Sequence, residues 1–291
     1  MMLFLAICKN TIDPEALTSE KEMRYDNNIT APFIPQEVSF AGEMLPMNCY
    51  WVKEGLDREL IIHYYQHART LQIFKRSGRF FPIIEKILKE EGVPEDIKYL
   101  CVAESSLENV ISPAKATGYW QFMDATARAY GLEINENVDE RYHLEKSTVA
   151  ACKYLKKLKQ QFGSWSLAAA AYNMGEGGLS KAIEAQQCDN YWDLFLNSET
   201  SRYVYRIVAY KLLFENQQTY GINLSSEDYY YPIPYKELKI TSSISDLPAF
   251  AKSHGVIYRE LKELNPWLRS NKLNVGSKEY RIMIPEKSGR D

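Results

Sequence analysis

Residues 94–106 read Pro94-Glu95-Asp96-Ile97-Lys98-Tyr99-Leu100-Cys101-Val102-Ala103-Glu104-Ser105-Ser106. Pro94, Glu95 and Asp96 suit the first turn of a helix, where the helix dipole favours acid. Ile97, Leu100, Cys101 and Glu104 then recur at i, i+3, i+4 and i+7, which is one face of that helix. Glu104 therefore stands where the pattern reserves room for an apolar side chain. Desolvation raises the pKa of a carboxyl so placed. A glutamic acid kept protonated near neutral pH can give its proton to a leaving-group oxygen, as the cleavage of a glycosidic bond requires. The plainer reading puts Glu104 at the helix end, half exposed or paired with a lysine, and the pattern alone favours it.

Outward from this helix the periodicity stays helical. A stripe of Leu60, Ile61, His63, Tyr64, Ala68, Leu71 and Phe74 begins near Leu56. A second helix has Pro82 near its first turn and Gly92 at its end. After a loop over 109–117, helices are expected from Asp124 to Tyr130, from Ser147 through Phe162, and over Trp165–Tyr172 with Ser164 as cap. Gly175, Gly177 and Gly178 are read as breaking the last of these, and a long helix is expected over 200–217. Tyr229 to Pro234 reads as an extended linker. The pattern then shifts to a strand, two short helices and a strand at Tyr280–Ile284. The chain divides into a leader (1–45), a helical domain (46–225), a linker (226–236) and a small module (237–286).

The net charge of −3, from 35 basic and 38 acidic residues, lacks the basic footprint of a nucleic-acid binder. Lys153, Lys156, Lys157 and Lys159 share one helix and read as a solvated face. Five cysteines without a CxxC pair give no zinc spacing, and Cys101 and Cys152 fall on apolar faces as small core residues. His63 and His67 lie four apart without an HExxH motif and are read as structural. No metal and no cofactor are expected.

Four ordered blocks turn the reading of Glu104. Ala103-Glu104-Ser105-Ser106 is followed by Gly118-Tyr119-Trp120-Gln121-Phe122-Met123, then Ala171-Tyr172-Asn173-Met174-Gly175, then Glu199-Thr200-Ser201-Arg202-Tyr203-Val204. In this order they resemble the soluble-lytic-transglycosylase family, which shares the goose-type lysozyme fold, and within it the membrane-bound lytic transglycosylase D group. Val138-Asp139-Glu140-Arg141 and the lead-in over 76–100 also resemble that group. The resemblance covers roughly 45–220 and implies a mainly α, lysozyme-like domain. It implies that Glu104 acts as acid and then base, cleaving between N-acetylmuramic acid and N-acetylglucosamine with 1,6-anhydro ring closure. Carried over by position, Ser105 and Ser106 support the Glu104 loop, and Gln121 and Met123 line the groove. Tyr172, Asn173, Glu199 and Tyr203 meet the substrate. By themselves Tyr172 reads as a core aromatic, Glu199 as a helix N-terminal carboxylate and Gln121 as a loop hydrogen-bonder. Leu107 departs from the family by standing where an aromatic residue often follows, which would reshape one sugar subsite.

Ile244-Ser245-Asp246-Leu247, Leu264-Asn265-Pro266 and Tyr280–Pro285 resemble a LysM module, a βααβ unit that binds N-acetylglucosamine chains. Its usual Gly-Asp-Thr turn is replaced by Ser243-Ile244-Ser245, so weak glycan binding through Asn265, Pro266 and Trp267 and mere packing on the larger domain both remain open. The implied partner is peptidoglycan glycan strands and the implied compartment the periplasm, with a monomer expected. Leu5-Ala6-Ile7-Cys8 loosely resembles a lipoprotein cleavage site, with Ile7 where a small residue belongs. Membrane association would follow only from Cys8 or from a missing signal segment. Two other classes stay open, a lysozyme-type hydrolase and a non-catalytic wall-binding protein.

Overall fold

Alanine builds the centre of this molecule. The helix over Trp165–Met174 carries Ala168, Ala169, Ala170 and Ala171, all without exposed surface, so neighbouring helices pack close around it. The computed structural model describes residues 29–289, of which those from 32 onward form one unit. In chain order the elements are β1 (Ser39–Phe40), β2 (Glu43–Met44), α1 (Tyr50–Tyr65), α2 (His67–Glu90), α3 (Lys98–Ser105), α4 (Asp124–Ala129) and α5 (Leu144–Phe162). Next come α6 (Trp165–Met174), α7 (Glu176–Gln186), α8 (Thr200–Glu215), β3 (Tyr235–Ile240), α9 (Leu247–Ser253), α10 (Tyr258–Leu264) and β4 (Tyr280–Pro285). The fold is mainly α with a small α+β unit at its C-terminal end. Helix α6 lies between α5 and α8, and α8 also packs on α1 and α3.

Three expectations change. Residues 32–45 are not an irregular leader: β1 and β2 form an antiparallel hairpin, and Val38, Phe40 and Leu45 enter the main core. The Glu43 carboxylate accepts from Trp165 N (2.5 Å) and Ser166 N (3.0 Å), so it caps the buried N-terminus of α6 beside the Ser164 hydroxyl that accepts from Leu167 N. Pro82 opens no helix; it sits inside α2, a single run of 24 residues. Gly177 and Gly178 do not break the chain either, because both lie within α7 and only Gly175 takes a left-handed φ of 85° between α6 and α7. The expected stop at Gly92 holds, with α2 capped at Glu91.

The linker is bound down on α2. Tyr230 N donates to Lys75 O (2.7 Å) and Arg79 Nε to Tyr231 O (3.0 Å), while Gly78 leaves room for Tyr229 against the helix. Strands β3 and β4 pair antiparallel, Tyr235 opposite Pro285 and Ile240 opposite Tyr280. Around them α9 and α10 complete the βααβ order read from the sequence. Val138 and Tyr142, which precede α5, belong to the core of this small unit rather than to the main one. Among the described residues no helix is long and apolar enough to cross a membrane. Cys8 lies outside the described residues. Cys101 and Cys152 are buried, as expected of small core residues.

Candidate active site

Glu104 is the penultimate residue of α3, and the turn that ends the helix holds it in place. Ser106 closes the helix in the left-handed region (φ 56°) and Leu107 repeats that conformation (φ 59°), two successive non-glycine residues where side chains are disfavoured. The turn drives Leu107 into the core at 1% exposure, so Leu107 shapes no sugar subsite from the surface. Two arginines of α2 hold the turn. Arg69 donates to the Ser106 hydroxyl from Nε (3.1 Å) and Nη2 (2.9 Å), and Arg76 Nη1 donates to Ser106 O (3.3 Å) while pairing with Glu108. Ser105 Oγ donates back to Cys101 O (3.2 Å) within the helix. Glu104, Ser105 and Ser106 thereby line an open cleft whose far wall is Arg69, Gln72 and Arg76.

The Glu104 carboxyl is half-buried, and Tyr203 of α8 donates a short hydrogen bond to its Oε1. Burial pushes its pKa up to about 7; the Tyr203 bond and the Arg206 charge pull downward, and Glu199 pushes upward. This is the protonated acid near neutral pH that the apolar face of residues 97–104 leads one to expect. Burial and the neighbouring Glu104 likewise hold the Tyr203 and Tyr172 phenols well above their ordinary range, so both remain hydrogen-bond donors.

The other residues expected in the site occupy distinct places. Tyr172 donates to Trp120 O (2.7 Å), pinning α6 to the loop of the second block. Gln121, left-handed at φ 49°, donates from its amide to Gly118 O (2.7 Å) and Val110 O (3.0 Å), and Val110 lines the cleft. Asn173 Oδ1 accepts from Thr200 Oγ1 (2.8 Å) at the start of α8. Glu199 is exposed just before α8, within electrostatic reach of Glu104. Met123 is 48% exposed ahead of α4 and does not line the cleft over Glu104. Glu104, Ser105, Ser106 and Tyr203 thus converge directly, whereas Tyr172, Gln121 and Asn173 fix the elements around them. Sequence reasoning missed Arg69, Gln72 and Arg76. Their spacing on one face of a predicted helix (i, i+3, i+7) was the only available signal, and it resembles any solvated face.

The loop beneath the site is set by Arg141. Its guanidinium pairs with Asp139 (Nη2 to Oδ2, 2.7 Å) and donates to the carbonyls of Phe122 (3.3 Å) and Lys115 (3.4 Å). Gly118 faces the Arg141 carbonyl at φ 84°, where a Cβ would collide with that oxygen.

In the C-terminal unit Asn265 is fully buried. It donates to Leu261 O (2.8 Å) and Met283 O (2.7 Å) and accepts from Met283 N (2.8 Å), which makes it the pin between α10 and β4. Trp267 is 2% exposed, stacks on Tyr280 at 5.7 Å and lies 6.0 Å from the His143 ring. Pro266 alone of the three is more than marginally exposed, and it lines a crevice with Trp267, Tyr142 and Phe80. Asn265 and Trp267 therefore do not stand on the surface as a sugar platform. Instead Trp267 O accepts from Asp139 N (2.9 Å), and Asn137 exchanges bonds with Arg269 and Ser270. Among the described residues no group of three or more His, Cys, Asp or Glu gathers in a metal-holding arrangement.

Residues 81–195 match the family model of the transglycosylase SLT domain, and residues 236–288 that of the soluble lytic transglycosylase C-terminal LysM-like domain. The chain is 31% identical over 242 residues to membrane-bound lytic murein transglycosylase D of Escherichia coli (strain K12), covering 81% of this chain and 52% of that protein. It thus spans about half the length of the curated relative it matches. Among solved structures, the 70 kDa soluble lytic transglycosylase of Escherichia coli is similar over 52% of this chain and 26% of that one, with 21% identity and a TM-score of 0.40. The lytic transglycosylase Slt of Pseudomonas aeruginosa covers the same shares at 18% identity and a TM-score of 0.37.

Proposed function

From a chain that carries a transglycosylase SLT domain followed by a LysM-like domain, we propose a peptidoglycan lytic transglycosylase that uses Glu104 first as acid and then as base. The observation that carries the reading is the half-buried Glu104 carboxyl at the cleft floor, its pKa pushed by burial to about 7. At neutral pH a large share of the molecules hold this proton. Glu104 gives it to the oxygen bridging N-acetylmuramic acid and N-acetylglucosamine, and the C1–O bond breaks. The substrate's own N-acetyl group stabilises the developing positive charge, so no second carboxylate is required as nucleophile. The Glu104 carboxylate then takes the proton from the muramoyl O6, and that oxygen closes on the anomeric carbon to give the 1,6-anhydro ring.

Tyr203 supports both halves of the cycle. Its hydroxyl holds one carboxyl oxygen in place and stabilises the carboxylate that forms after proton transfer. The second oxygen is left for the substrate. The cleft wall of Arg69, Gln72 and Arg76 offers donors along a path for a glycan strand. Such a substrate places the enzyme in the periplasm. The C-terminal unit works in this reading as a brace: through Trp267, Asp139 and Arg141 it steadies the loop that carries Trp120 and Gln121.

The test is the mass of the products released from purified sacculi. Anhydromuropeptides, lighter by one water than the hydrolytic products, are expected. Reducing-end muropeptides instead would make the protein a hydrolase, and no release would leave a wall-binding role.

A further inference from the structure

One charged group lies deeper than the mechanism requires. Glu59 of α1 is 0% exposed, yet it is an ionised carboxylate surrounded by cations. Arg202 Nε donates to its Oε1 at 2.6 Å, Arg206 Nε stands 3.7 Å from Oε2, Arg58 Nε 3.5 Å from Oε1, and His63 Nε2 3.7 Å from Oε2. Although burial alone would raise its pKa, the His63 ring nearby, the Arg202 bond and the two α8 arginine charges hold Glu59 down to about 2. Around it the polar groups are poorly satisfied: Glu59 Oε2, both ring nitrogens of His63 and the Tyr210 hydroxyl are buried without a hydrogen-bond partner. Apolar side chains would join α1 to α8 at lower cost, because a buried ion pair seldom outperforms hydrophobic packing. Stability is thus a weak reason for this cluster.

Its position supplies a better one. Arg202 and Arg206 flank Tyr203 on α8, and Tyr203 bonds Glu104. Arg206 acts on both carboxylates, paired with Glu59 and also favouring the charged form of Glu104. We propose that Glu59 is a positioning residue for the site: by anchoring Arg202 and Arg206 it fixes the face of α8 that presents Tyr203, and it keeps the Arg206 charge directed away from Glu104. Without Glu59 the freed guanidinium turns its field on Glu104 and drains the proton that the reaction uses. This rests on the reading of Glu104 as proton donor. The groups facing Glu104 are Tyr203, Arg206 and Glu199 from α8 and its N-terminal approach, Tyr172 from α6 and Cys101 from α3. Those facing Glu59 are Arg58 and His63 from α1, Arg202 and Arg206 from α8, and the phenols of Tyr191 and Tyr210.

The experiment is a direct titration of Glu104 in the full chain by carbon NMR of labelled glutamate carboxyls, with the signal assigned through Glu104→Gln. It needs no turnover. In Glu59→Gln the Glu104 midpoint is expected to fall by about half a pH unit or more, and in Arg206→Gln to rise by about one unit, since a close opposite charge shifts a carboxyl on that scale. Glu59→Asp, which keeps the charge, is expected to keep the midpoint near that of the wild type. A residue that merely glued helices together would leave the Glu104 midpoint in place in folded Glu59→Gln. An unmoved Glu104 midpoint in folded Glu59→Gln overturns the proposal; if Glu59→Gln does not fold, an unmoved midpoint in Arg206→Gln overturns it. Opposite shifts in a protein that releases nothing from sacculi would uphold the coupling while sinking the activity.

Discussion

The Glu104 side chain carries two consequences that can be separated by pH. Its pKa in the folded chain is about 7 against an ordinary 4.5, with burial as the cause. The folded state therefore binds this proton more tightly than the unfolded chain does. The associated stability is complete below about pH 4.5 and is lost as pH rises through about 7. Glu104→Gln removes the titration, so it is expected to stabilise the protein at pH 8 by on the order of 1–3 kcal/mol while changing little at pH 4. Denaturant melts at the two pH values check this, and an equal effect at both would contradict it. Tyr203→Phe removes a hydrogen bond that favours the carboxylate. It is expected to move the alkaline limb of the kcat/KM profile to higher pH and to lower the rate roughly 100- to 1000-fold, the range of one lost donor at a developing charge. A rate loss with an unshifted limb would mean that Tyr203 serves the substrate alone.

At the scale of elements, the site depends on turns more than on helices. Gly118 sits at φ 84° with the Arg141 carbonyl where a Cβ would be. Gly118→Ala is expected to cost roughly 2 kcal/mol or more and to disorder the Trp120–Gln121 loop, read by thermal melts and by loss of cleavage. A folded, fully active variant would contradict the role given to that turn. Such turns also mark the limit of what the sequence could tell. Much of the helical frame was legible: the stripe of residues 97–104 read from 3.6-residue spacing, the Ser164 cap from its side-chain chemistry, and the long helix over 200–217 was expected where α8 runs. Helix α7 was not, because Gly177 and Gly178 carry the local signal of a break, and packing of Leu179 against the core overrides it. Pro82 misled similarly, since long helices tolerate an internal proline when tertiary contacts hold both sides. The Glu59–Arg202–Arg206 cluster was invisible because Glu59 lies 143 residues from Arg202 in the chain, and charge on a helix face ordinarily means solvent.

Across the whole molecule, the small C-terminal unit and the helical domain share a seam. Val138 and Tyr142 complete the core of the smaller unit, Arg269 stacks on Tyr142 at 3.9 Å, and Glu133 meets both Tyr280 and Lys278. Trp267 lies at that seam with its indole nitrogen unpartnered, so its contribution is packing rather than display. Trp267→Ala is expected to cost about 3–5 kcal/mol, as large-to-small changes in a core do. Chitin-oligosaccharide binding by the surviving folded protein, measured by calorimetry, is expected to be unchanged. A stable variant that has lost oligosaccharide affinity would return Trp267 to the role of a sugar platform.

In the proposed mechanism a single acid, Glu104, both opens the glycan strand and closes the anhydro ring. The most direct test is to digest purified sacculi with the wild type and with Glu104→Gln, and to weigh the soluble products by mass spectrometry. Anhydromuropeptides are expected from the wild type and none from a Glu104→Gln protein that melts like the parent at pH 4. Anhydromuropeptides released at similar rates by both proteins would contradict the single-acid mechanism.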